Sequence, residues 1–329
     1  MIHVSPYPKL NRADIIRIMN EMGDLSKPFF FIVNYHAQWG YVIDENELDE
    51  SHIRYVFHDN SIRKLYNKII DWKTEPVKYS EYARKFDYVK QQIQAGNSFL
   101  TNLTQPTKVT TNLTLEDIYE SSYAPYKLWL KDKFLVLSPE TFVRIENGII
   151  KTFPMKGTID ASIPDAETII LNDVKEMAEH ATIVDLLRND LSMVAEDVQV
   201  TRYRYIEKIK TLQKDLLQVS SEISGVLPDN YQSHLGDILF KLLPAGSISG
   251  APKPKTLEII EKAEAYERGF YTGVCGYFDG EQLDSAVMIR FLEQTNDGLI
   301  YKSGGGITFQ SDMEKEYEEL IQKVYVPVS

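Results

Sequence analysis

The order of strand-forming and helix-forming segments constrains this chain most. Strand signals come in groups, and helix signals fall between the groups rather than after each strand. Residues 29–43 (FFFIVNYHAQWGYVI) are aromatic and β-branched, with Gly40 near the middle, and predict two strands. Residues 97–103 and 134–153 read as further strands, with a hairpin turn at Asn147-Gly148. Near the end of the chain, strand signals at 271–278, 284–293 and 299–302 alternate with glycine-rich turns. Tyr82, Phe86, Val89 and Ile93 stand at helical spacing in a helix predicted over 79–95, with Gly96 as its stop. Other helices are expected near 166–189, at 254–264 and over 312–324. The strict strand–helix–strand alternation of a parallel sheet is missing. The expectation is an α+β fold, with large, mostly antiparallel β-sheets and helices outside them. Residues 1–78 read as a reduced, β-rich N-terminal part and 79–329 as the main core.

Charge narrows the function. The 329 residues include 48 acidic and 36 Lys or Arg side chains, a formal net charge of −12. Phosphate backbones need a concentrated basic surface, and no Lys/Arg run supplies one, so nucleic acid is an unsuitable partner. An anionic ligand would have to be held by cations gathered at one site, against the global field. Cys275 is the one cysteine, which excludes an intrachain disulfide and a thiolate metal site and suits a reducing compartment. The longest apolar run, Phe29 to Val33, is far too short for a membrane span. The first sixteen residues, MIHVSPYPKLNRADII, lack the apolar core of a signal peptide. A cytoplasmic protein with no membrane partner is expected. The P-loop and H-E-x-x-H patterns are absent, Ile248 stands where a nucleophile elbow needs serine, and Gly304-Gly305-Gly306 lacks the spacing of a dinucleotide fingerprint.

Two carboxylate pairs stand out. Glu176 and Glu179 are three residues apart in one predicted helix, and Glu316 and Glu319 in another, so each pair shares a helix face. Four oxygen donors without His or Cys suit Mg²⁺. The spacing also suits solvated faces, and Asp173-x-x-Glu176 suits a capping box; spacing alone leaves these open. The turn from Pro244 to Lys253 puts two glycines and two serines before a helix, a place where backbone N–H groups bind anions. Arg290 lies in an apolar strand, where it needs a carboxylate partner: a ligand, or Asp284. Lys156, in Pro154-Met155-Lys156-Gly157-Thr158, reads either as an exposed turn lysine or as a desolvated nucleophile.

Several longer segments occur together and in order: Ser138-Pro139-Glu140; Pro154 to Thr158; Ala178 to Asp190 (AEHATIVDLLRND); Pro244 to Lys253 (PAGSISGAPK); Leu283-Asp284 to Ile289-Arg290; and Gly304-Gly305-Gly306-Ile307 through Glu319. Over residues 80 to 326 the chain resembles the chorismate-utilising enzymes, and within them it is most similar to aminodeoxychorismate synthase component I. The resemblance implies a pair of large sheets with the active site between them. It implies that Mg²⁺ holds the ring carboxylate of chorismate, with Glu179 and Glu319 as direct ligands and Glu176 and Glu316 acting through water. Tyr271, Arg290, Lys323 and backbone N–H groups at Gly157 and Gly306 would hold the carboxylates, with Thr158, Ser247 and Gly305 also at the substrate.

Three positions help choose a reaction. Lysine at position 156 is typical of aminodeoxychorismate synthases, where anthranilate synthases have alanine. Its amine would attack C2 and expel the C4 hydroxyl; ammonia would then attack C4 and release the lysine. That scheme needs an uncharged lysine, with its pKa lowered by Mg²⁺ and Arg290. Leu100 stands where salicylate and isochorismate synthases carry a lysine base and many amine-forming members have glutamine. Gln218 stands where much of the family has the histidine assigned to acid catalysis, and glutamine cannot titrate. The implied function is Mg²⁺-dependent amination of chorismate at C4 to 4-amino-4-deoxychorismate, in the p-aminobenzoate branch of folate synthesis. Ammonia would come from a separate glutaminase subunit. The alternatives are anthranilate synthase component I and, from another class, a non-catalytic chorismate-binding subunit.

Overall fold

A computed structural model describes residues 6–58, 64–66, 69–209 and 215–328. Every strand pairing among the described residues is antiparallel, in two large sheets. The first has ten strands. Phe29–Val33 is an interior strand, which pairs with Trp39–Asp44 on one side and Val274–Phe278 on the other. Leu283–Val287, Thr141–Glu146, Ile149–Thr152 and Leu216–Val226 continue it, and Met155–Asp160 and Glu196–Ile209 both pair with Leu216–Val226. The second has eight strands, with Leu100–Thr111 beside Gly298–Thr308, followed by Phe291–Thr295, Phe134–Ser138, Tyr126–Leu130 and Ile53–Phe57. The described residues before 79 therefore enter both sheets. The α+β reading holds.

The period of two in Phe29–Val33 explains its place. Phe30 and Ile32 point toward the second sheet and pack with Tyr126, Leu128, Phe134 and Val136. Phe29, Phe31 and Val33 point the other way, into a core with Leu187, Leu191, Leu239 and Phe240 from the outer helices Val174–Leu191 and Leu235–Leu242. Both faces of this strand are covered, so a run without polar residues is stable there. On the far side of the second sheet, Tyr82, Phe86, Val89 and Ile93 pack with Leu103, Ile259 and Ile307, as their spacing predicts. That helix runs Tyr79–Gln94, and Gly96 follows it at φ +74°. Among the described residues no helix is long and apolar enough to cross a membrane.

Four boundaries differ from expectation. The strand placed at 97–103 begins at Leu100 and runs to Thr111, because its long partner Gly298–Thr308 continues the ladder past Pro106. That partner is itself longer than the 299–302 read from sequence. The helix expected over 166–189 is two, Ala166–Asn172 and Val174–Leu191. Asp173 breaks it by accepting the Glu176 N–H at 2.9 Å, so the capping pattern is a real N-cap. The strand expected over 284–293 is also two, Leu283–Val287 in the first sheet and Phe291–Thr295 in the second. Between them the backbone turns at Arg290, with φ +52°.

The chain crosses between the sheets at three neighbouring places. It crosses once between Ser138 and Thr141 and again between Val287 and Phe291. In the segment before Val274 it folds back through Thr272, which has φ +59°. These crossings open the space that holds the site.

Candidate active site

All fourteen residues singled out from the sequence line one cavity of 560 Å³. A larger cleft of 640 Å³ at the rim of the second sheet, lined by Lys108, Trp129, Lys131 and Asp297, contains none of them. Each wall has a simple origin. The strand Met155–Asp160 carries Lys156, Gly157 and Thr158, and Thr158 stands opposite Gln218 in the ladder. The helix Val174–Leu191 presents Glu176 and Glu179, and the helix Met313–Gln322 presents Glu316 and Glu319 from the opposite side. Ser247 lies in the single turn Gly246–Ser249. Tyr271 and Arg290 come from two of the crossings, and Gly305 and Gly306 from the strand beside Leu100–Thr111.

Lysines tie the glutamates together. Lys156 Nζ lies 2.5 Å from Glu179 Oε2. Lys175 Nζ reaches both helices, at 3.6 Å from Glu179 Oε1 and 3.7 Å from Glu316 Oε1. Lys323 Nζ is 2.6 Å from Glu319 Oε1 and donates to the Gly304 carbonyl at 2.8 Å. The two carboxylate pairs therefore meet across the cavity. Burial raises the pKa of Glu176 and of Glu316 above the usual carboxylate range. Burial pushes Glu319 the same way, but Lys323 beside it, helped by Lys156 and Lys175, brings it below that range.

Two expectations need correction. The protein's own groups do not depress Lys156: burial acts to lower its pKa, but Glu179 at contact, with Glu176 and Glu319 nearby, outweighs burial and raises it. Nor does Arg290 act on it by contact. Arg290 sits at the turn between two strands, where Nη1 meets the Lys323 carbonyl at 3.4 Å and the guanidinium lies 5.0 Å from the Tyr325 ring centre. Asp284 is not its partner; that carboxylate pairs instead with His58 at 2.9 Å and Arg144 at 3.3 Å. Among the described residues Arg290 makes no ion pair, which leaves its charge facing the cavity.

Fitness for a cation can be tested on the donors themselves. Among the described residues no three carboxylate, His or Cys groups stand ready-made as a metal cage. Glu179 is nevertheless 7% exposed, and its Oε1 is buried without a hydrogen bond. A side chain added at Gly305 would meet Glu316 Oε2 at 3.3 Å and Glu319 Oε1 at 3.9 Å, and one at Gly157 would meet Glu176 Oε2 at 3.2 Å. Two glycines thus keep open the ground beside three of the four glutamates. An all-oxygen donor set with a buried oxygen that accepts no hydrogen bond, and with free space, fits a hard divalent cation.

Glu140 is a cavity residue to which the sequence reading assigned no role. It lies in the crossing after Ser138 and hydrogen-bonds the Ser247 hydroxyl. Burial raises its pKa, against the opposing effects of Ser247 and Lys323. A carboxylate placed straight after a proline, between two apolar strands, was the available signal. Asn102, opposite Gly306 in the ladder, also lines the cavity. Leu100, two residues before it, is buried, and a side chain at Gly306 would meet its Cδ1 at 2.9 Å.

Comparison with known proteins gives the family of the chain. Residues 32–329 match the family model for the chorismate binding enzyme. An uncharacterised PabA-like protein of Pasteurella multocida is 49% identical over 95% of this chain and 98% of its own length. The aminodeoxychorismate synthase component 1 of Salmonella typhimurium is 34% identical over 74% of this chain and 56% of its own length. The fold is shared with anthranilate synthase component I from Streptococcus pneumoniae, at a TM-score of 0.66 and 24% identity, covering 98% of this chain and 81% of that one. With a family match over nearly the whole chain and two sheets of the same fold around the cavity, this chain belongs to the chorismate-binding enzymes.

Proposed function

We propose that the chain is the synthase component of aminodeoxychorismate synthase and replaces the C4 hydroxyl of chorismate with an amine. The observation that carries this reading is the position of Lys156. It is the one amine on the strand Met155–Asp160, and it lines the same cavity as both glutamate pairs and the unpaired Arg290. Glu176, Glu179, Glu316 and Glu319 would hold Mg²⁺. Bound there, Mg²⁺ would supply positive charge that offsets the glutamates and holds the ring carboxylate of chorismate. Arg290 and Lys323, with backbone N–H groups at Gly157 and Gly306, would take the carboxylate oxygens.

Lys156 sheds a proton and its nitrogen bonds to C2. The ring double bonds shift, the C4–O bond breaks, and the hydroxyl leaves with a proton as water. Ammonia then bonds to C4 and loses a proton, the double bonds shift back, and the C2–N bond breaks to return the lysine. Glu140 suits the proton delivery that Gln218 cannot make, because burial favours its protonated form at higher pH than an ordinary glutamate. Gln218 is left to hydrogen-bond the departing hydroxyl. Ammonia would come from a separate glutaminase subunit, and the product would enter p-aminobenzoate synthesis.

One observation favours a second reading. Lys156 is paired with Glu179 at 2.5 Å, and a protonated lysine is no nucleophile. Direct attack of ammonia at C2, with loss of the C4 hydroxyl as water and then of the side chain as pyruvate, gives anthranilate and does without it. The test is the mass of the product formed from chorismate, Mg²⁺ and ammonium. Aminodeoxychorismate is expected, and fluorescent anthranilate formed without any added lyase overturns the proposal.

A further inference from the structure

Three walls of the cavity come from segments far apart in the chain, and one buried arginine ties them together. Arg268 is 2% exposed, and all five of its N–H groups are used. Nε donates to Glu264 Oε2 at 2.8 Å. Nη2 donates to Glu264 Oε1 at 2.6 Å and to the Asn102 carbonyl at 2.9 Å. Nη1 donates to the Ile248 carbonyl at 3.0 Å and to Thr272 Oγ1 at 3.1 Å. Glu264 Oε1 also accepts the Thr104 N–H at 2.7 Å and its hydroxyl at 2.8 Å. Nothing is left over on the guanidinium for a ligand, so Arg268 cannot act on substrate directly.

Its acceptors show what it does instead. Ile248 follows Ser247, Thr272 follows Tyr271, and Asn102 stands opposite Gly306 in the ladder. Each neighbours a residue assigned above to the substrate. Thr272 adds an independent observation. Its φ of +59° is a costly conformation for a β-branched residue and needs its surroundings to hold it. Its hydroxyl receives Arg268 and donates to the Tyr271 carbonyl at 2.6 Å, and its N–H donates to the Met288 carbonyl at 2.8 Å.

We propose that Glu264, Arg268 and Thr272 form a positioning unit that sets where Tyr271, Ser247 and the Gly306 amide stand around an anionic ring ligand. On the functional reading above, on which this inference rests, that ligand is chorismate. A threonine that served only to hold the backbone at positive φ should be replaceable by glycine without loss of ligand affinity, because glycine adopts that conformation freely. A positioning threonine should not.

The experiment uses the full chain with Thr272→Gly, Thr272→Ser and Arg268→Lys, titrated calorimetrically with chorismate and Mg²⁺. Thr272→Gly is expected to weaken chorismate binding about tenfold, because Arg268 Nη1 loses an acceptor beside Tyr271, and Thr272→Ser to recover affinity to within about threefold of the parent. Parent-like affinity in Thr272→Gly overturns the proposal. Amide hydrogen exchange, read without ligand, gives a second measure. Faster exchange over residues 246–250 in Thr272→Gly and Arg268→Lys is expected, because that turn connects to Thr272 through Arg268, and unchanged exchange there overturns the unit. If the parent takes up no chorismate, the functional reading falls, and the exchange result alone decides the positioning unit.

Discussion

Two clusters of opposite charges flank the same cavity, and they are built on opposite plans. Around Arg268, five donors meet five acceptors, and Arg268 and Glu264 are each 2% exposed. Around Lys156, three of the four glutamates share three lysines, two of the contacts are stretched to 3.6 and 3.7 Å, and one buried carboxylate oxygen has no hydrogen bond. A closed network specifies a structure, because removing one member strands the rest. An open one leaves bonding capacity for something else. The difference separates scaffold from site using only who is bonded to whom.

The contrast can be broken at either end. The largest effect is expected from Arg268→Met, which strands the buried Glu264 carboxylate and should cost about 3–5 kcal/mol in denaturant unfolding. A cost below about 1 kcal/mol would mean the closed cluster is not closed. Next comes Lys156→Ala, which should lower kcat on the order of a hundredfold or more while calorimetric chorismate affinity stays within about threefold. Unchanged turnover would remove the covalent mechanism. Mg²⁺ at ten times its Kd should raise unfolding stability by about 1.4 kcal/mol, and the gain should vanish in Glu179→Gln. An equal gain in that variant would place the cation elsewhere. The smallest effect belongs to Lys175→Met, which removes two long contacts from a side chain 40% exposed and should cost less than about 1 kcal/mol. If it costs as much as Arg268→Met, the two clusters are alike and the distinction fails.

Much of the site was legible before any coordinates. The i, i+3 spacing put each glutamate pair on one helix face, and those faces do meet across the cavity. The unbroken apolar run Phe29–Val33 and the helical spacing of Tyr82, Phe86, Val89 and Ile93 report burial directly. Crossings between sheets were not legible. Periodicity tells which residues share a face, not which sheet a strand joins, so 284–293 read as one strand although it belongs to two. Arg290 was therefore matched with Asp284, on the same apparent strand, and not with its real surroundings beside Lys323 and Tyr325. The charge state around Lys156 was also out of reach, because it depends on side chains from two helices brought to one strand. Arg268 carries little signal beyond its i, i+4 spacing from Glu264, since two of its acceptors come from residues 102 and 248, far away in the chain.

The place of Phe29–Val33 has a consequence for how the protein is made. That strand pairs at once with Trp39–Asp44, but its other edge closes only against Val274–Phe278. During synthesis an apolar hairpin with three consecutive phenylalanines emerges early and keeps a bare hydrogen-bonding edge until residue 278 has left the ribosome. Until then the nascent chain is a strong template for mispairing. A truncated product ending anywhere before that strand would carry the exposed edge permanently and should aggregate rather than fold.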